Sequence, residues 1–146
     1  MAVKPNYFWD EKTGVMICEI EYQGNTFKGI AVCHEDDADF KSELVGSNLA
    51  YERAYIKLFK YLKKTEKARL DVLLNVYNSM AQSYRFNPDS FEAKILKKNI
   101  HRTEQVVNAL NDTIKEMNES VRQQIDRYED FFKKVRLKRE RATRPN

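Results

Sequence analysis

The spacing of hydrophobic residues changes once along the chain, near Asp36. Before that point, β-prone runs occupy 6–9, 15–22 and 26–33, and turn residues in "DEKTG" and "QGN" separate them. Short alternating runs joined by such turns are typical of antiparallel strands. The sequence therefore predicts a three-stranded antiparallel β-meander over 6–33.

The second turn of this meander determines which residues face each other. We take Gly24 and Asn25 as its two central residues, because both types tolerate tight turns. This register places Cys18 opposite Ala31. It also brings Cys18 and Cys33 onto one face of the sheet as diagonal neighbours.

From Asp36 onward, apolar residues recur at spacings of three and four, which indicates an α-helix. The first long helix is predicted over 36–84. Gly46 and Ser47 interrupt its pattern early. They predict either a kink near Gly46 or a restart of the helix with Ser47 as its cap.

A second long helix is predicted over 89–140. Pro88 ends the first helical stretch, because the residue before a proline avoids the helical conformation. Either Asp89 or Ser90 can cap the helix that follows.

The second helix carries a coiled-coil seam. Its positions follow a 4-3 alternation from Leu96 to Val135, and all of them are apolar except Thr103 and Gln124. A helix of this length spans roughly 75 Å at 1.5 Å per residue, so it needs a partner along its length. The apolar stripe is wider than a two-stranded seam because of five further residues: Ile95, Val106, Ala109, Ile125 and Phe132.

These patterns predict an α+β protein forming one domain over 1–146. The two long helices form an antiparallel hairpin, and the wide stripe predicts dimerisation through the helices into a four-helix arrangement. The composition agrees with long solvated helices, since the 146 residues include 26 Lys+Arg, 22 Asp+Glu, 4 Gly and 3 Pro. No phosphate-binding glycine loop is present.

The acidic segment before the first helix has residue types that bind metals. Cys33, His34, Asp36 and Asp37 supply soft and hard ligands, and Cys18 is a further candidate on the neighbouring strand. Neighbouring residues of a strand point to opposite faces, however, and carboxylates favour a helix N-terminus because of its unpaired N–H groups. We therefore interpret the segment as an acidic helix start and predict neither a metal site nor a cofactor.

The sequence was also searched for residues of a catalytic site and of a nucleic-acid site, and it favours neither as the main function. With only His34 and His101 and no serine elbow, no catalytic triad is recognisable, so an enzyme is not predicted. The C-terminal "FFKKVRLKRERATR" carries enough cations for nucleic acid, although Glu129, Asp130 and Glu140 dilute it. Nucleic acid is accordingly a secondary candidate.

A compact phosphorylated ligand needs arginines for phosphates, an aromatic face for a base and polar groups for ribose. In an antiparallel dimer, the loop between the helices lies beside the middle of the partner's helices, which creates two equivalent pockets. The predicted ligand-binding residues are Phe86, Phe91, Asn99, Arg102, Asp112, Thr113 and Arg122. Arg53 and Arg85 are two further arginines available for phosphate binding.

The stretch "MICEIEYQGNTFKGIAVCHEDDADFKSELVGSNLAYERAYIKLFKYLK", followed by a second long helix, resembles the first Thoeris anti-defence family of phage proteins. The resemblance covers nearly the whole chain in layout and is most specific over 29–64. Ser47 and Asn48, ahead of "LAYERA", depart from the family pattern. The resemblance implies a dimer of long helices that can assemble further, with adenine stacked on an aromatic ring and phosphates held by arginines.

The resemblance also implies a function. Members of that family bind cyclic ADP-ribose-type signals without cleaving them, so that a bacterial immune effector is not activated. We therefore expect a non-enzymatic sponge for a small cyclic nucleotide. The alternative is a basic coiled-coil dimer that binds nucleic acid or a host protein. Because no signal-peptide pattern and no 18-residue apolar stretch occur, we expect a cytoplasmic setting and no membrane. The resemblance implies that this cytoplasm is that of a bacterial host.

Overall fold

The computed structural model describes residues 4–32 and 43–143. Three strands precede two long helices: β1 (Asn6–Asp10), β2 (Val15–Tyr22), β3 (Asn25–Val32), α1 (Glu43–Ala81) and α2 (Phe91–Thr143). The predicted α+β fold, with its small N-terminal antiparallel meander followed by two long helices, is confirmed. Residues 33–42, which include the acidic segment and Cys33, lie outside the described part.

The chain divides into two compact units. The sheet unit contains the three strands, α1 up to Leu58 and α2 from Glu116 onward. The hairpin unit contains the remaining stretch, 59–115, with the loop that joins the two helices.

The strands lie in the order β1-β2-β3, and both pairs are antiparallel. The predicted register between β2 and β3 is wrong, because Cys18 faces Gly29 rather than Ala31. The turn is formed by Gln23 and Gly24, whose φ angles are 50° and 79°. A two-residue hairpin turn with positive φ at both positions favours glycine at the second, which shifts the turn one residue toward the N-terminus.

The inner face of the sheet packs directly on the backbone of α1. Cys18 and Ile20 of β2 are fully buried. A Cβ atom at Gly29 would overlap the carbonyl oxygen of Ala50 and the backbone nitrogen of Ala54. Only a residue without a side chain permits this approach, so Gly29 seats this turn of α1 against β3.

The helix α1 is continuous through Gly46 and Ser47, so no restart occurs there. A Cβ atom at Gly46 would lie 3.0 Å from the Cβ of Met16. Gly46 therefore allows the helix to approach the sheet closely. In the sequence pattern, the same glycine looks like an interruption of the helix.

The hairpin unit pairs the two helices in antiparallel orientation. Lys63 Nζ donates to Asn111 Oδ1 at 2.8 Å, and Lys97 lies 5.6 Å from the ring centroid of Tyr77. The prediction that α1 reaches residue 84 is wrong, since the helix ends at Ala81.

The loop residues explain both helix ends. The backbone N–H of Ser83 bonds to the Met80 carbonyl at 3.1 Å, and the Ser83 hydroxyl accepts from the Arg85 N–H at 3.3 Å, which closes a turn. On the other side, the Ser90 hydroxyl accepts from the Ala93 N–H at 3.3 Å. Ser90, rather than Asp89, is therefore the cap of α2.

The predicted seam of α2 is buried or half-buried from Leu96 to Tyr128. Ile114 and Thr103 are each only 7% exposed, and Thr103 satisfies its hydroxyl by donating to the Asn99 carbonyl at 2.8 Å. Phe131 is 56% exposed in the single chain, and its predicted coverage by a second protomer stays a prediction.

Candidate functional site

An open cleft of about 540 Å³ lies in the sheet unit, where α1 and α2 face each other. Its lining residues recur at helical spacings of three and four, so each helix contributes a single face. The lining consists of Asn48, Tyr51 and Glu52 from α1 and of Ser120, Gln123, Gln124, Arg127 and Tyr128 from α2. We call this the helix cleft. Its size lies within the range of small-molecule sites, roughly 300–1,000 Å³.

A chain of hydrogen bonds connects the two walls of the helix cleft. The Gln124 amide nitrogen donates to the Ser120 hydroxyl oxygen at 3.3 Å. The Ser120 hydroxyl donates in turn to Glu52 Oε1 at 2.9 Å. The chain thus begins on α2 and ends on a carboxylate of α1.

Two acceptor atoms on the residues of this hydrogen-bond chain have no donor. Among residues 4–32 and 43–143, no protein group donates to Glu52 Oε2 or to Gln124 Oε1, and both atoms are buried. Leaving a buried acceptor unsatisfied costs about 1–3 kcal/mol, more when it is charged. Such atoms are rare in folded proteins and call for an explanation at each place where they occur.

Aromatic and cationic side chains complete the helix cleft. Tyr51 is 38% exposed, and its ring centroid lies 4.5 Å from that of Tyr55. Burial raises the pKa of the Tyr55 phenol, and a hydrogen bond with Tyr51 raises it further. Arg127 is exposed and Tyr128 is half-buried on the α2 side. Together they offer ring surfaces and one positive charge.

Four of the predicted ligand-binding residues lie near the loop end of the hairpin unit. Phe86 packs edge-on against Tyr77 with centroids 5.7 Å apart, and it lines a shallow loop pocket of about 320 Å³. Phe91 is 75% exposed, and Asn99 and Arg102 are also exposed on α2. Of these four residues, only Phe86 contributes to the loop pocket.

The remaining three predicted residues lie further along α2. Asp112 is exposed and Thr113 is half-buried, and both lie roughly 30 Å from Phe91 at 1.5 Å per residue. Arg122 belongs to the sheet unit, where its Nη2 donates to both Glu119 carboxylate oxygens at 2.7 and 2.9 Å. The pocket was predicted to form between two protomers, so it stays a prediction for a single chain.

The other candidates from the sequence have structural roles or lie outside the described residues. Arg53 Nη1 donates to the Ile30 carbonyl at 2.6 Å, which ties α1 to the sheet. Arg85 lies over the Tyr84 ring at 5.4 Å. Cys33 and His34 fall within 33–42, and among the described residues no group of three side chains is arranged to hold a metal ion.

Sequence reasoning missed most residues of the helix cleft. Glu52 and Arg127 have the appearance of ordinary charges on a solvated helix, and Ser120 has no distinguishing neighbour in the sequence. Gln124 was the available signal, because it is polar at a seam position. The pattern of α2 alone, however, does not tell this glutamine apart from Thr103.

Comparisons with known proteins give no match, whether to a protein-family profile, a curated protein or a solved structure. Neither of the two described helices contains an apolar stretch long enough to cross a bilayer.

Proposed function

We propose that this protein binds a cyclic ADP-ribose-type, or related cyclic nucleotide, immune signal and sequesters it without cleavage, as a phage anti-defence protein in the cytoplasm of its bacterial host. The supporting observation is the pair of buried acceptors, Glu52 Oε2 and Gln124 Oε1, in a cleft that also offers Tyr51, Tyr128 and Arg127. Ribose hydroxyls can donate to such acceptors, an adenine can stack on a tyrosine, and a phosphate can pair with an arginine.

The proposal includes a homodimer, which can assemble further. Its support is the apolar surface that a single chain leaves exposed on the hairpin unit. Val72 is 61% exposed, and Val76, Ile95 and Val106 are between 43% and 46% exposed. Isolated exposed apolar residues are ordinary, but several on two paired helices favour a partner.

The test is native mass spectrometry of the protein with a panel of cyclic ADP-ribose isomers and cyclic oligonucleotides. We expect stoichiometric binding of one panel member, and intact ligand after the protein is denatured by heat. A cleaved product would contradict sequestration. If no panel member binds, and duplex or single-stranded DNA binds with a steep salt dependence, the basic coiled-coil alternative replaces the proposal.

Variants distinguish the helix cleft from the pocket predicted between protomers. Phe86→Ala and Arg122→Ala should weaken ligand binding at least tenfold if the pocket lies between protomers. Glu52→Gln should do so if the ligand occupies the helix cleft. Sedimentation of each variant verifies that its oligomeric state is unchanged.

A further inference from the structure

The helix cleft contains two buried acceptors and one exposed cation. We call Glu52 Oε2 and Gln124 Oε1 its acceptor end, and the cation is Arg127, three residues after Gln124 on the same helix. A ligand that satisfies both the acceptors and the cation carries hydrogen-bond donors and a negative charge.

Neighbouring sugar hydroxyls fit the acceptor end better than the other donor groups do. A carboxylate oxygen and an amide oxygen each accept one hydrogen bond from a pair of adjacent hydroxyls. An ammonium group also donates and would be attracted to the Glu52 carboxylate, but it offers no negative charge to the Arg127 guanidinium in the same cleft. A carbonyl-rich ligand would place acceptors against acceptors, which leaves the buried atoms unsatisfied.

The hydrogen-bond chain has one contact that a ligand can replace at low cost. The Gln124–Ser120 bond measures 3.3 Å, which is longer than the usual 2.7–3.2 Å range. The Ser120–Glu52 bond is shorter, at 2.9 Å, and fixes one oxygen of the carboxylate. A ligand can therefore replace the Gln124–Ser120 bond while the Ser120–Glu52 bond keeps Glu52 oriented.

Building on the proposed function, we propose that Glu52 and Gln124 bind the vicinal hydroxyls of a ribose while Arg127 binds a phosphate of the same ligand. The helix cleft then selects nucleotides whose ribose has two free hydroxyls. Tyr51 and Tyr128 line the same cleft and provide ring surfaces for the base.

Two measurements test this assignment. The first compares AMP with 2′-deoxy-AMP on the wild-type protein by ligand-observed NMR, and we expect AMP to bind at least fivefold more tightly. The second titrates the cyclic ADP-ribose isomers into Glu52→Gln, for which we expect at least a tenfold loss. Glu119→Gln is the matched control, because Glu119 is half-exposed and paired with Arg122 outside the cleft lining. Its affinity should equal that of the wild type.

The outcomes separate this inference from the proposed function. Isomer binding that is unchanged in Glu52→Gln overturns the assignment and leaves the function standing. Preference for AMP without binding of any isomer overturns the function and supports the assignment. Equal binding of AMP and 2′-deoxy-AMP, or no binding of any nucleotide, overturns the assignment. The AMP comparison needs no variant, so it holds even if Glu52→Gln fails to fold.

Discussion

Thr103 and Gln124 occupy equivalent positions in the seam of α2, yet their hydrogen bonds differ. Thr103 donates to the Asn99 carbonyl one turn earlier, and within the described part of the chain its hydroxyl makes no other bond. Gln124 donates to Ser120, which leads on to Glu52 of α1, and its own Oε1 has no donor among the described residues. A polar residue in an apolar seam therefore points to a site only when its own helix does not satisfy it.

The largest effect is expected from a substitution that separates α1, one wall of the helix cleft, from the sheet. Gly29→Val should destabilise the sheet unit by more than about 4 kcal/mol, because its side chain would overlap the backbone of Ala50 and Ala54, on either side of Glu52. Thermal unfolding followed by circular dichroism measures this. The control is Gly24→Asn, where nothing lies within 4 Å and asparagine tolerates the positive φ, so the cost should stay within about 1 kcal/mol. Similar melting of the two variants would contradict the close packing of α1 on β3.

A smaller effect, of opposite sign, is expected at Gln124. Gln124→Leu should leave the protein as stable as the wild type or up to about 2 kcal/mol more stable, because it removes a buried acceptor that has no donor. Urea unfolding measures the change in the free energy of unfolding. A loss of more than about 2 kcal/mol would show that the glutamine is structurally satisfied and that the contrast with Thr103 does not hold.

Thr103→Val should change the free energy of unfolding by less than about 1 kcal/mol. Valine keeps the shape of threonine, and the lost bond is a local one to a helical carbonyl. The same urea series measures it. A cost well above this bound would mean that the hydroxyl of Thr103 has a further partner.

The smallest effect concerns Tyr7 and Cys18, whose side chains hydrogen-bond to each other. Burial, the Cys18 sulfur and a hydrogen bond to that sulfur raise the pKa of Tyr7 to about 12. An unfolded tyrosine titrates near pH 10, so the stabilisation is complete below pH 10 and is lost as the pH rises to about 12. Tyr7 is 43% exposed, so solvent screening limits the effect to at most about 1 kcal/mol.

Tyr7→Phe should therefore reduce the decline in stability between about pH 10 and 12, measured by urea unfolding at several pH values. Burial also raises the pKa of Cys18, with the Tyr7 bond as a partial offset, so part of the decline remains in the variant. An identical pH profile in the variant and the wild type would contradict the pairing of the two side chains.

The elements of the fold were predictable because their signals are local. Alternation identified the strands, and the 4-3 spacing identified both helices to within a few residues where they are described. The register was wrong because this turn has its glycine at the second central position, after Gln23. The prediction placed Gly24 at the first central position, since Gly24 and Asn25 together also suit a tight turn. The role of Gly46 was missed because an approach to Met16 depends on a strand thirty residues earlier.

The candidate site was far less predictable. Its walls combine residues from α1 and α2 that are about seventy positions apart, such as Glu52 and Ser120. Neither residue is unusual within its own helix. Only the three-dimensional pairing shows that a carboxylate, a hydroxyl and an amide form one chain with acceptors left over.

The most direct test of this account is a calorimetric titration of the wild type, Thr103→Val and Gln124→Leu with the cyclic ADP-ribose isomers. We expect Thr103→Val to bind like the wild type. Gln124→Leu should bind at least tenfold more weakly, which corresponds to about 1.4 kcal/mol. If Gln124→Leu retains the wild-type affinity, or if both variants lose it equally, the helix cleft is not the ligand site.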